Sequence, residues 1–491
     1  MQNEQTPEQI QELFNEVSKI LIGYYSNPES APASPGVDKR ELVDLISEPQ
    51  LPAEGCGLKD ALSFVENTVL PNSVKTWHPL FLNQMSAGAS VPAILGDLLS
   101  SMINCTMATW EMTPSATIME RNVSQWMAQI LGMPEGSSGI FVSGGSYANM
   151  CALAVARHQR LDPEIAKAGL GGKNIRGAIL CTDGAHYSVA NSANFLGIGA
   201  NNVIKVKSNE RNEMLESDLI EQLRRCDEEG ITPFAIVVTL GITVTGGFDP
   251  LARIVEVCKG RNIHIHVDAA FGGGMALADG CQKYFAGIEQ VDTVSWDAHK
   301  WMHTPLTSTV LLAPDARIFK HTFSSGADYL FHPQDDEINI ADDLGHYTPM
   351  CGKRFQSLHV WLLMKAYGAN HFREMATRQV RFTETIYRYL LEDEDFVPSY
   401  KPVSPIICFQ YRPEGCESWT VEYSDRMHRW MRETSKRRKL AMYNITKHKG
   451  QDHFRMILIN HLTTEEHLKN LLEEMRALGQ EFMAQEPPPQ N

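Results

Sequence analysis

The sequence predicts an α/β fold: a large doubly wound, mostly parallel sheet followed by a smaller α+β part. Three observations carry that expectation. Five short apolar segments between Ile140 and Trp301 each run into a polar or glycine-rich turn. Stretches with helical hydrophobic spacing separate most of them. One of the five, Phe234-Ala-Ile-Val-Val-Thr-Leu240, is an unbroken apolar run, the pattern of a central strand covered on both faces.

At 491 residues the chain is long enough for a large core and more than one domain. Hydrophobic residues make up 43% and charged residues 21%, ordinary values for a globular enzyme. The formal net charge of -15, with acids and bases interspersed, argues against nucleic acid or anionic lipid as a partner, since both need a basic face. Ten cysteines are scattered without a C-x-x-C pair or a Cys/His cluster, so reduced thiols in a cytoplasmic protein are expected and a metal site is not. No apolar run is long enough to span a bilayer, and no secretory signal is read at the N-terminus.

Taken in order, residues 6 to 25 carry Ile10, Leu13, Phe14, Val17, Ile20 and Leu21, the stripe of an amphipathic helix that needs a partner surface on its own chain or a neighbouring one. A linker follows from Asn27 to Gly36, then a helix from Leu58 to Val69. Trp77 to Gly88 reads as a loop anchored by its aromatic and aliphatic residues, presenting His78, Asn83, Gln84 and Ser86. A long helix runs from Thr113-Pro114 to about Ile130, with Pro114 in the first turn, where its missing N–H costs nothing.

The alternating part begins with the strand Ile140-Phe-Val142, the turn Ser143-Gly-Gly-Ser146 and a helix from Tyr147 to Arg160. Glycines that open a helix let backbone N–H groups approach an anion, so Gly144, Gly145 and Ser146 form a candidate phosphate cradle. The strand Ala178–Cys181 leads to His186, placed to stack on a planar cofactor. The central strand leads into Gly241-Ile-Thr-Val-Thr-Gly-Gly-Phe-Asp-Pro250, where Thr243 is available to a phosphate. After the helix Leu251–Lys259, Ile263-His-Ile-His-Val-Asp268 delivers Asp268 at a strand end, and Val291 to Trp301 does the same for His299 and Lys300.

A carboxylate and a lysine just beyond two strands are what pyridoxal phosphate chemistry requires. The amine forms a Schiff base with the cofactor aldehyde, and the aspartate keeps the pyridine nitrogen protonated. Beyond Gly368 the chain alternates helices with strands such as Pro405–Gln410 and Phe454–Ile459. The expected organisation is an N-terminal segment 1–95, a cofactor domain 96–367, a small domain 368–485 and a disordered tail 486–491.

The chain resembles the group II pyridoxal-phosphate-dependent amino-acid decarboxylases, particularly the glutamate and cysteine-sulfinate branch. The resemblance rests on His78 to Ser86, Gly144 to Met150, Ala185 to Ser188, Gly241 to Pro250, His266 to Ala270 with Gly272 to Gly274, His299-Lys300 and Phe454 to Met456. It implies a fold-type I enzyme working as a homodimer, with Lys300 as the Schiff-base lysine, Asp268 as the pyridinium partner and His186 stacked on the ring. It further implies that Gly144, Gly145, Ser146, Thr243, Ala270 and His299 hold the cofactor, and that Gln84, Ser86 and Arg455 hold the substrate. The expected substrate is a small acidic amino acid: glutamate, aspartate or cysteine sulfinate. Other readings are decarboxylation of 2,4-diaminobutyrate, an aldehyde synthase or aminotransferase, or an inactive cofactor-binding regulator; intact Lys300 and Asp268 argue against the last.

The chain departs from the family pattern in three places. Asp297-Ala298 stands where the family usually has Asn-Pro before His-Lys, and Ile242 replaces the first of two threonines. In the acidic loop from about Tyr329 to Cys351, expected to be mobile and to cross to a partner's site, Asp342 takes the place of a tyrosine that often protonates the α-carbon; Tyr347 lies five residues on.

Overall fold

The computed structural model describes residues 5–170, 176–324 and 343–488. Contacts divide the chain into two compact units. One comprises Ala89–Tyr389 and Pro398–Cys408; the other comprises Met1–Gly88, Leu390–Val397 and Phe409–Asn491. The N-terminal residues therefore group with the C-terminal ones, and the chain leaves the larger unit near the end of the helix Ser357–Glu392. That helix is broken at Gly368, where φ is +73°.

The larger unit is built on seven strands: β1 (Ser138–Val142), β2 (Gly177–Thr182), β3 (Val203–Val206), β4 (Thr232–Thr239), β5 (His264–Asp268), β6 (Thr293–Asp297) and β7 (Thr309–Ala313). Their order is β1-β7-β6-β5-β4-β2-β3. The pairs β2/β3, β2/β4, β4/β5 and β5/β6 are parallel, while β7 is antiparallel to both β1 and β6. Because β1 and β6 both oppose β7, they run the same way, and five strands thus end at one edge with the turns singled out in the sequence. Register aligns those ends: Thr239 lies beside Asp268, Asp268 beside Ser295, and Asp297 beside Thr309.

The packing follows from the pattern of apolar residues. Phe234 to Val238 are fully buried, as a strand covered on both faces must be. In the helix Leu251–Cys258 the buried residues are Leu251, Ile254, Val255 and Cys258, spaced to form one face. Gly272, Gly273 and Gly274 are required by close approach. A Cβ at these positions would fall on the Leu240 carbonyl, the Trp296 indole and the Trp301 side chain respectively. Glu120 and Lys353, both essentially unexposed, form an ion pair, and Glu120 Oε1 also accepts the Phe141 N–H at 3.0 Å. That ties the long helix Pro114–Leu131 to the edge strand β1.

In the other unit the loop expected at Trp77–Gly88 is sewn down by backbone bonds. Leu82 N donates to Met442 O at 2.8 Å, and Leu82 O accepts from Ile457 N at 2.9 Å. A second sheet, not confined to one unit's residue range, adds β8 (Phe396–Pro398), β9 (Ile406–Tyr411), β10 (Asn444–His448) and β11 (Gln451–Ile457), in the order β10-β11-β9-β8. β10 and β11 form a hairpin around Lys449 (φ +48°) and Gly450 (φ +82°), a two-residue turn with both central residues left-handed, as strand twist demands. The N-terminal helix Pro7–Ser26 is closed by a capping box between Thr6 and Gln9, and none of its residues is buried. All ten cysteines are free, seven of them buried. Among the described residues no helix is long and apolar enough to cross a membrane.

Strand β5 carries two fully buried histidines, His264 and His266. Burial favours the neutral ring and pulls His264 down from the ordinary 6.5 to about 4. Between those two values the unfolded chain binds a proton that the folded protein refuses. Stability is complete above pH 6.5 and falls as pH drops through the window. His264 alone should cost about 2 kcal/mol between about pH 7 and about pH 5. Urea unfolding of wild type and His264→Gln at both values tests this: the variant should lose less, and equal losses would refute the assignment.

Candidate active site

The cavity at the strand ends has a volume of about 200 Å³. One end is the first turn of the helix Gly145–Ala156. Gly144 precedes it with φ +98°, a conformation that favours glycine, and this starts the helix at Gly145, two residues before the expected Tyr147. Gly145 and Ser146 line the cavity, with backbone N–H groups that the helix leaves without intrahelical partners.

After β6 the chain makes a single helical turn, Ala298–Trp301. Lys300 projects into the cavity, with Nζ 3.2 Å from Asp297 Oδ2. His299 lies behind it: Nδ1 accepts the Ser308 N–H at 3.1 Å, and Nε2 is 3.5 Å from Asp297 Oδ2. Burial holds the His299 ring below the ordinary imidazole range, with Asp297 pulling the other way. Thr309 Oγ1 donates to Asp297 Oδ1 at 2.6 Å.

Asp268, at the end of β5, is 6% exposed. Its Oδ1 accepts the Ala270 N–H at 3.1 Å and its Oδ2 accepts from Asn149 Nδ2 at 2.8 Å. Asn149 Nδ2 also donates to Ser188 Oγ at 2.9 Å, and Ser188 Oγ lies 2.8 Å from His186 Nδ1. The Asn149 carbonyl oxygen faces His266 Nε2 at 2.9 Å and accepts from Ser295 Oγ at 3.3 Å. That contact assigns the His266 proton to Nε2, which leaves Nδ1 to accept from Thr293 Oγ1 at 2.9 Å; His264 Nε2 then donates to the same hydroxyl at 2.9 Å. One amide thus connects Asp268, His186 and a chain of buried histidines. Burial also holds the His186 ring below its ordinary value, against the pull of Asp268.

Of the residues expected to hold a cofactor, Gly145, Ser146, His186, Thr243, Asp268, Ala270 and Lys300 line this one cavity. Gly144 caps the helix beside it and His299 lies behind Lys300. Sequence reasoning missed Asn149, Ser188 and Thr239. The available signal for Asn149 was its place four residues after Gly145, on the same helix face. The substrate-side residues lie in the other unit: Gln84 is exposed, Ser86 half-buried and Arg455 is 6% exposed on β11. Tyr347 is buried against Ile140, Ala148 and Phe319 and does not line the cavity. Asp342 and most of the acidic loop lie outside the described residues.

The donor set fits pyridoxal phosphate. The cavity holds a lysine amine, a hydrogen-bonded carboxylate, an imidazole and the N-terminal amides of a helix. Thr239 Oγ1, 4% exposed at its wall, has no hydrogen-bond partner among the described residues, which marks a polar position that a bound group would satisfy.

Comparison with known proteins agrees. The family model described as the pyridoxal-dependent decarboxylase conserved domain matches residues 46–412. The human (Homo sapiens) cysteine sulfinic acid decarboxylase is 32% identical over 455 residues, 90% of this chain and 90% of that protein. The mouse (Mus musculus) acidic amino acid decarboxylase GADL1 is 31% identical over 434 residues, 86% of this chain and 78% of its own. The crystal structure of mouse CSAD superposes with a TM-score of 0.90 at 29% identity, covering 97% of this chain and 100% of that one.

Asn149→Ala would strand buried groups at once: a carboxylate oxygen of Asp268, the Ser295 hydroxyl and the His266 N–H. Each unsatisfied buried group costs about 1–3 kcal/mol, so the variant should lose at least about 2 kcal/mol of stability. Urea unfolding of the protein without added cofactor measures it; a change within about 0.5 kcal/mol of wild type would mean that the network is not structural.

Proposed function

The chain belongs to the pyridoxal-dependent decarboxylase family, and we propose that it releases the α-carboxylate of a small acidic amino acid, such as cysteine sulfinate, glutamate or aspartate, as carbon dioxide. It is a pyridoxal-phosphate-dependent carboxy-lyase. The observation that carries the residue assignment is the meeting of Lys300, Asp268 and the glycine-opened helix in one cavity. The acidic substrate is supported by the similarity to relatives named for cysteine sulfinic acid and acidic amino acids.

When bound, pyridoxal phosphate supplies an electron sink for the pair left behind as carbon dioxide departs. Lys300 is the amine that would hold the cofactor. Asp268, oriented by Asn149, would hold a proton at the ring nitrogen, an interaction that matters most as charge develops in the transition state. His186, held toward the neutral form by burial and oriented through Ser188, would cover the ring face. Gly145, Ser146 and Thr243 would receive the phosphate, and His299 braces the Lys300 turn through Ser308. Arg455, with Gln84 and Ser86, provides a bidentate cation, an amide and a hydroxyl for the substrate's carboxylate or sulfinate. The working unit is a homodimer. An apolar face of the helix Val91–Ile103, with Leu95, Leu98, Leu99 and Met102 exposed, supports that reading. The free thiols support a cytoplasmic location.

The test is a substrate panel of cysteine sulfinate, glutamate, aspartate, 2,4-diaminobutyrate and tyrosine. Carbon dioxide, ammonia and keto-product are read separately for wild type, Lys300→Ala and Asp268→Asn. Wild type should release carbon dioxide from the acidic set. Lys300→Ala should lose both activity and the visible absorbance of lysine-bound cofactor. Asp268→Asn should keep the cofactor and lose at least about 100-fold in kcat. Turnover confined to diaminobutyrate or tyrosine would overturn the substrate class alone. An unchanged absorbance band in Lys300→Ala would overturn the site.

A further inference from the structure

An acid stands at the anion end of this cavity. Asp297 is 2% exposed, and its two carboxylate oxygens lie 3.0 and 3.2 Å from where a Cβ of Gly145 would be, against the first turn of the helix Gly145–Ala156. It occupies the positive end of that helix before any other anion arrives. Among the described residues, the titratable groups that share its surroundings include His299 and Lys300 from its own turn, His186 and Tyr187 after β2, and Asp268 at the end of β5; β7 adds the Thr309 hydroxyl. Both imidazoles are held toward the neutral form by burial, so Lys300 is the cation available to Asp297 among the described residues of the cavity.

While Lys300 is a free ammonium, it balances Asp297 at 3.2 Å. Once the amine is committed to the cofactor, that balance weakens. A phosphate monoester held by the Gly145 and Ser146 amides would bring two negative charges to the same helix terminus, since its second ionisation falls near about pH 6. Two like charges that close in a buried site do not both stay ionised. The asparagine usual in the related family would offer a neutral amide here and face no such conflict. We propose that Asp297 and the cofactor phosphate share one proton, taken from solvent, in the loaded site, so that the protein's hold on the phosphate weakens as pH rises. This rests on the cofactor reading given above. No bond other than one O–H is made, and nothing is oxidised or reduced.

The experiment compares pyridoxal phosphate with pyridoxal, which forms the same lysine adduct but has no phosphate. Equilibrium binding to the apoprotein of wild type and Asp297→Asn is followed by visible absorbance and tryptophan fluorescence from about pH 6 to about pH 9. In wild type the preference for pyridoxal phosphate over pyridoxal should fall above about pH 7, by up to about tenfold per pH unit, the slope set by one linked proton. In the variant the preference should stay level, leaving it more than about tenfold tighter than wild type for pyridoxal phosphate at the alkaline end. Parallel profiles in the two proteins overturn the inference. If Asp297→Asn does not fold, the wild-type ratio decides, and a ratio that holds or rises with pH overturns it. Failure of wild type to bind pyridoxal phosphate at any pH removes the cofactor reading itself, and this inference with it.

Discussion

The hydrogen bond from Asn149 Nδ2 to Asp268 Oδ2 is the constraint on which the rest of the larger unit's site depends. A buried carboxylate is costly unless its oxygens are satisfied, and Asp268 has one backbone N–H and one side-chain amide to do it. The amide can point its NH₂ at Asp268 only because its carbonyl oxygen is occupied on the far side by His266 and Ser295. Those partners sit on β5 and β6, so sheet register, helix position and carboxylate orientation are set together. A histidine on a central strand, where an aliphatic residue would pack as well, has its reason in that amide.

Much of the fold was legible because its signals are local. An apolar run ending in glycines marks a strand and its turn, and five such runs placed the site at one edge of the sheet. Gly145, Ser146, His186, Thr243, Asp268 and Lys300, which line one cavity, could be singled out because each stands at or just beyond the end of such a run. Asn149 and Ser188 were not, because each lies inside a helix or at its start, where a polar residue reads as solvent-facing. Their role appears only when β5 and β6 come alongside.

The grouping of the chain into units was illegible for a different reason. The residues before Gly88 join those after Phe409 through backbone bonds such as Leu82 to Met442, which no side-chain pattern announces. Asp297 was visible as a departure from a pattern, yet its meaning needed the placement of its oxygens over Gly145. A substitution of one atom in a side chain changes a turn very little and an electrostatic environment a great deal.

The edge position of β1 has a further consequence, for the order in which the chain assembles. β1 is the first strand of the large sheet to be made, but its sheet partner is β7, the last. The lysine that neutralises Glu120, and so secures the helix before β1, arrives later still, at Lys353. Five intervening strands emerge from the ribosome first, and β1 waits with its ladder groups unpaired. Contacts this distant in sequence are slow to form and leave an apolar strand open to wrong pairings meanwhile. Completion of the sheet therefore waits until the chain has been made as far as Ala313 of its 491 residues, and shorter nascent chains carry β1 without its partner.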